Sequence, residues 1–188
     1  MNNKVTWKPG TMLAPVPVVM VTCQGNDNKP NIITIGWAGT ICSEPPMVSI
    51  SVRPSRHSYK LIKESGEFVI NVPSRKLAKE TDLCGVISGS KEDKFHETGL
   101  TAIKSNTVKA PTIMECPLSL ECKIKQEIPL GSHNMFLAEI TSVQVSKELL
   151  DKEGKLILDK ADFLGYAHGT YVALGKQLGT FGFSVKKK

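Results

Sequence analysis

Residues 31–58 read NIITIGWAGTICSEPPMVSISVRPSRHS, and the second half of that stretch decides the fold class. From Met47 to Val52 apolar and polar residues alternate: Val48, Ile50 and Val52 fall on one face, Ser49 and Ser51 on the other. A period of two is a strand with one buried side. Pro45 and Pro46 precede it and mark a turn, because neither donates a ladder hydrogen bond. The strand runs into Arg53-Pro54-Ser55-Arg56-His57-Ser58, where Ser55 is the expected N-cap of a short helix over 55–64. Two guanidiniums and two hydroxyls beside a helix start suit an anion, a phosphate above all. Upstream, Gly36-Trp37-Ala38-Gly39-Thr40 is mostly small residues with accessible backbone, which suits a flat polar ring that needs N–H donors. Taken singly, the same residues also read as solvated surface charges and the polar face of a strand.

Outward from this stretch the chain continues in short strands. Val16 to Cys23 does not alternate and is expected as a strand buried on both faces, with Asn31 to Ile35 returning as its hairpin partner after the turn at 25–28. Gly66 stops the 55–64 helix. Glu67 to Val72 places Phe68, Ile70 and Val72 on one face; Asn71 lies opposite, where its amide reaches a polar ligand or closes a structural hydrogen bond. Ser74 is expected to cap a second helix that stops at Gly85, and Ser90 to begin a third with Asp93 at the capping-box position. Between them Ser88-Gly89-Ser90, followed by Lys94, offers a second hand on a phosphate. The run GVISG is not a serine-nucleophile elbow, since Val86 stands where a glycine is required.

Further along, Leu118, Leu120, Cys122 and Ile124 alternate with Ser119, Glu121, Lys123 and Lys125, the pattern of an antiparallel strand with one wet face. In Met135 to Val145 the apolar phase slips between Ile140 and Val143, the mark of a bulge. Gly165 to Leu174 is expected as a last short strand or loop near the site. Short strands at regular spacing, three small helices and a bulge make a mainly β, Greek-key barrel with flanking helices.

A chain of 188 residues with 40% hydrophobic and 22% charged residues is expected to form one domain over 1–188, with loose termini at 1–10 and 180–188. The formal charge of +6 mildly favours anionic small molecules, and three of those charges are Lys186, Lys187 and Lys188. No basic stripe is interleaved with aromatics, so nucleic acid is not an expected partner. Cysteines 23, 42, 84, 116 and 122 form no CxxC pair, and with the four histidines they make no local metal cluster. Cys116 and Cys122, if on one strand, lie about 20 Å apart, beyond bridging distance. Free thiols and the lack of a signal peptide point to the cytoplasm. The apolar run from Met12 to Cys23 is interrupted by Pro15 and Pro17 and is too short to span a membrane. Neither a GxGxxG fingerprint nor a Walker loop is present.

The pattern N-x-x-T-x-G-W, followed by S-x-x-P-P-M-V-S-I-S-V-R-P-S-R, resembles the flavin reductase-like family, in particular the flavoredoxin and ferric reductase branch of the FMN-binding split barrels. The likeness continues through Gly66 to Asn71, Cys84 to Gly89, Asp93 to Phe95 and Gly131 to His133, nearly the whole chain. It implies a six-stranded split barrel assembled as a homodimer with bound FMN. It also implies an oxidoreductase that accepts electrons from NADH or NADPH and passes them to free flavin, ferric iron or a redox protein. By the same resemblance Thr34, Trp37, Ala38, Gly39 and Thr40 line the ring. Ser51, Arg53, Arg56 and Ser58 hold the phosphate and ribityl chain, supported by Ser88 and Lys94. Asn71 joins the cofactor-binding set, and His133, directly after a glycine turn, reads either as a guide for the nicotinamide at the exposed face of the ring or as a solvated turn histidine. Where flavoredoxins commonly have Gly-Asp-His, this chain has Gly131-Ser132-His133, which removes a carboxylate from beside the histidine. Two alternatives go with this reading: a flavoredoxin-type carrier without useful NAD(P)H activity, and a non-catalytic flavin-binding protein.

Overall fold

A computed structural model describes residues 3–185; the lysines at 186–188 lie outside the described residues. The strands are β1 (Val16–Pro17), β2 (Val19–Gln24), β3 (Pro30–Ile35), β4 (Ala38–Cys42), β5 (Met47–Val52) and β6 (Glu67–Val72). They continue with β7 (Ala102–Ile103), β8 (Thr112–Ile113), β9 (Leu118–Pro129), β10 (Asn134–Val145), β11 (Leu164–Ala167) and β12 (Thr170–Ala173). The helices are α1 (His57–Ser65), α2 (Ala78–Val86) and α3 (Lys94–Thr98).

Seven strands form one antiparallel sheet in the order β3-β2-β6-β9-β10-β5-β4. The sheet curls until its two ends share one core. Ile33 and Ile35 from β3 pack in the same cluster as Val48, Ile50 and Val52 from β5. Phe68, Phe136 and Cys122 fill its centre, and α1 closes it with Leu61 and Ile62. Burying each such side chain contributes about 1.5–3 kcal/mol, which makes the curled sheet the stable form. The architecture is the expected mainly β split barrel, with β4 as a seventh strand. Its small residues, expected only as accessible backbone, pair with β5 from Ala38↔Ile50 to Cys42↔Met47.

Several boundaries differ from the sequence reading. The expected strand from Val16 to Cys23 divides at Val18: β1 leaves the barrel to pair with β11, while β2 stays. Pro17 has no N–H for the barrel ladder, so the exchange of sheets occurs there. β2 is buried on both faces as expected, because Met20 faces outward into a second core with Ile32, Cys84 and Ile113. α1 begins at His57 after Arg56, and no side chain caps it; the hydroxyl of Ser55 takes no part. Gly66 ends it as expected, at φ 70°, donating its N–H to the Ile62 carbonyl. Asp93 itself is the N-cap of α3, accepting from the N–H groups of Phe95 and His96.

The expected wet face of β9 is in part dry. Ser119 and Glu121 are buried under the segment from Ser105 to Ile113, which the alternation of β9 alone does not reveal. The phase slip in β10 is a true irregularity, with register shifts between Leu137 and Ala138 and between Ile140 and Ser142.

Candidate functional site

The chemistry expected at Arg53 and Arg56 falls where β5 leaves the barrel. Together with the ends of β3 and α2 and the β11–β12 hairpin, this corner encloses a cleft of about 510 Å³. The end of β3 from Ile33 to Ile35 lines it, with Ser51 and Val52 of β5. Trp37 and His133 line it too, as do Asp82, Gly85 and Val86 of α2. A volume of this size is ordinary for a small-molecule site.

α2 sits unusually close to β3. A Cβ at Gly85 would lie 3.3 Å from the Thr34 Cβ, so glycine is what lets the helix reach the sheet. That packing, rather than a helix stop, accounts for Gly85, and α2 runs on to Val86. Thr34 helps to fasten it by donating to the Thr81 carbonyl at 2.5 Å.

Arg53 and Arg56 are exposed at the cleft and take no ion-pair partner among the described residues. Unpaired guanidiniums at the mouth of a pocket are fit to bind an anion bidentately. His133 shares the cleft with them. Burial, and the Arg53 charge beside it, hold its imidazole below the ordinary histidine value. Its Nδ1 is 2.9 Å from the Ser132 hydroxyl, the partner that replaces the missing carboxylate.

Of the cofactor-site residues expected from the sequence, Thr34, Trp37, Ser51, Arg53 and Arg56 line the cleft, as does His133. Others lie apart. Ala38, Gly39 and Thr40 run away from the cleft along β5, toward Val48. Ser58 is 2% exposed and its hydroxyl accepts from the Asn31 amide at 2.7 Å. The Asn71 side chain is fully buried and saturated. Its amide donates to the Met20 carbonyl and Thr22 hydroxyl, and its oxygen accepts from Ile113 N–H and the Ser119 hydroxyl. Asn71 therefore closes the structural hydrogen bonds that were the alternative reading, rather than facing a ligand. Ser88 is exposed and bonds Ser90. Lys94 is 4% exposed and donates to the Cys84 carbonyl at 2.7 Å, capping the last turn of α2. Burial holds Lys94 below the ordinary lysine value.

The sequence reading did not single out Asp82, Tyr166 and Tyr171. The stretch from Gly165 to Leu174, expected near the site, forms the β11–β12 hairpin whose two tyrosines line the cleft. Their rings meet edge to face with centroids 5.5 Å apart. The Tyr171 hydroxyl donates to Asp82 Oδ1 at 3.0 Å, tying the hairpin to α2. Burial and that carboxylate push the Tyr171 phenol up to about 12, so it remains a neutral donor. Two tyrosines close to glycines late in the chain were the only sequence signal, and local periodicity does not say which helix they face.

A family described as flavin reductase-like domain matches residues 11–175, a span that contains every residue of this cleft. The chain belongs to the flavin reductase-like family. Among solved structures, the flavoredoxin of Desulfovibrio vulgaris (Miyazaki F) superposes with a TM-score of 0.91 at 34% identity, over 97% of this chain and 100% of that one. The flavoredoxin from Methanosarcina acetivorans superposes at 0.88 with 28% identity, over 97% of each chain. An uncharacterised protein of Archaeoglobus fulgidus is 39% identical over 115 residues, which is 61% of this chain and 65% of that protein. The likeness to flavoredoxins fits the branch to which the motifs from Asn31 to Arg56 pointed.

Proposed function

We propose that the chain is an FMN-binding oxidoreductase that takes electrons from NADH or NADPH and passes them to free flavin, ferric iron or a redox protein. The observation that carries this reading is the pair Arg53 and Arg56, without carboxylate partners among the described residues, in a cleft that Trp37, Tyr166 and Tyr171 also line. A phosphate monoester suits the two guanidiniums and a flat ring suits the aromatic side chains, which favours FMN over a dinucleotide flavin. Arg53 and Arg56 hold the phosphate, Ser51 and Thr34 contact the chain and ring, and Trp37 bounds the ring. The bound flavin supplies the two-electron chemistry; the protein binds, orients and shields it.

His133 acts by positioning. A neutral imidazole at the cleft mouth holds the nicotinamide at about 3–3.5 Å from its acceptor. His133→Ala is expected to slow anaerobic flavin reduction by NAD(P)H at least 10-fold, while FMN affinity and reduction by dithionite stay unchanged. Equal rates in the two proteins would make the histidine a bystander.

A second reading, a flavoredoxin-type carrier that receives electrons from a redox protein, is favoured by the 34% identity to the Desulfovibrio vulgaris flavoredoxin. The deciding experiment is anaerobic titration of the FMN-loaded protein. Bleaching of the flavin by NADH or NADPH supports the oxidoreductase; bleaching by dithionite alone supports the carrier. The five free thiols fit a reducing compartment such as the cytoplasm.

A further inference from the structure

A second cavity of about 350 Å³ adjoins the cleft and shares Trp37, Ser51 and His133 with it. Its remaining walls are apolar side chains, Leu13 and Val16 before the barrel and Leu130 from the turn between β9 and β10, with Thr11 at the rim. Leu13 and Leu130 are 82% and 56% exposed, so the recess presents apolar surface to water beside a polar site. We infer that this recess binds a planar aromatic carbonyl compound of the quinone class and presents it as an electron acceptor to the adjoining cleft. The inference rests on the proposed function for the origin of the electrons, but not for the binding site itself.

The chemistry of the lining does not suit a nucleotide or a ferric ion in the recess itself. No cationic side chain lines the recess, so a phosphate-bearing nucleotide finds no partner there. No carboxylate lines it either, so a ferric ion finds no hard oxygen donor. What remains is an apolar body with one polar handle. A cavity of about 150 Å³ holds one benzene ring, so this recess has room for two fused rings. The Trp37 indole offers an aromatic surface for them. His133 sits at the junction of the two cavities, where an acceptor must place its oxygen to lie next to the cleft. The Ser132 hydroxyl engages Nδ1, and in the tautomer that carries its proton on Nε2 the imidazole donates to that oxygen. Burial, and the Arg53 charge, lower the basicity of this histidine.

Reduction of a quinone in the recess consumes two electrons and two protons. Both electrons come from the reduced flavin of the proposed activity together with one proton, as a hydride equivalent, and the second proton comes from solvent through His133. The products are the hydroquinone and oxidised flavin.

The binding arm of the test needs no flavin. Calorimetry of the flavin-free protein with 2-naphthol, a two-ring phenol that accepts no electrons, is expected to show one site per chain. Leu13→Glu and Leu130→Glu, both at exposed positions, are each expected to weaken it at least 10-fold while FMN affinity stays unchanged. The second arm uses FMN-loaded protein reduced with dithionite. Reoxidation by 1,4-naphthoquinone is expected to slow at least 10-fold in Leu130→Glu, and reoxidation by ferricyanide to stay unchanged. Failure of the chain to bind FMN would overturn the proposed function and leave the naphthol result to decide the recess. Absence of naphthol binding, because a second copy covers the recess or for any other reason, would overturn the inference. So would binding that survives both glutamates, or a naphthoquinone rate indifferent to Leu130.

Discussion

Arg53 and Arg56 line one cleft together with residues of β3, β5 and α2. Each is exposed, so neither stabilises the fold through burial, and their charge remains available to a ligand. A hydrogen bond to a charged group contributes about 1.5–3 kcal/mol. Arg53→Ala is therefore expected to weaken FMN binding by about 10- to 100-fold in a fluorescence titration, with no change in thermal stability. Unchanged affinity would remove Arg53 from the site. The cysteines behave in the opposite way. Burial pushes the thiols of Cys23 and Cys122 up to about 12 and that of Cys84 to about 11, and raises Cys116 as well. At pH 8 they stay protonated and covered. Cys42, half-buried on the edge strand β4, is the exception. An aromatic disulfide reagent is expected to label one thiol per native chain, none in Cys42→Ser, and all five after denaturation.

At the scale of elements, Glu121 shows how a loop is fastened to a sheet. It is fully buried on β9 and accepts hydrogen bonds from the N–H groups of Asn106 and Thr107, the Thr107 hydroxyl and the Gln144 amide. Burial raises its pKa, but those donors outweigh burial and hold the carboxyl below the ordinary glutamate value. A depressed pKa means the stabilisation is present above the ordinary value and is lost as pH falls through the folded one. Glu121→Gln turns an amide N–H₂ toward donors and is expected to cost about 1–3 kcal/mol at pH 7 by urea unfolding. The gap between the two proteins is expected to narrow at pH 3. Equal stability at pH 7 would show that the loop is held by other contacts. The hairpin β11–β12 is fastened differently, by Tyr171 to Asp82 on α2 and by Arg75 to Asp162 at its base.

For the whole molecule, no helix among the described residues is long and apolar enough to cross a membrane. Apolar side chains stay in water along both chain ends: Val5 at 86% exposure, Trp7 at 73%, Leu178 at 93% and Phe181 fully open. Such arms are costly to leave uncovered, and a second copy of the chain is the partner that the flavin reductase-like resemblance implies. Sedimentation at micromolar concentration is expected to give a dimer with FMN bound. A monomer that retains FMN would exclude the second copy from the site.

Local periodicity determined much of this protein. The alternation of Val48, Ile50 and Val52, the turn at Pro45 and Pro46, the glycine stop at Gly66 and the slip in β10 each depend on neighbouring residues alone, so they are legible in the chain. The motifs from Asn31 to Arg56 likewise carried the family. Tertiary structure decided which of those residues face one another. Asn71 and Lys94 look like ligand groups in sequence, yet long-range contacts with Ser119 and Ile113, and with the end of α2, occupy them. Glu121 reads as wet until a loop some fifteen residues earlier covers it. Asp82, Tyr166 and Tyr171 reach the cleft only because α2 packs against β3 at Gly85 and the last hairpin folds back over it. Hydrophobic pattern says which face of an element is buried; only packing between elements says what lies on the other side.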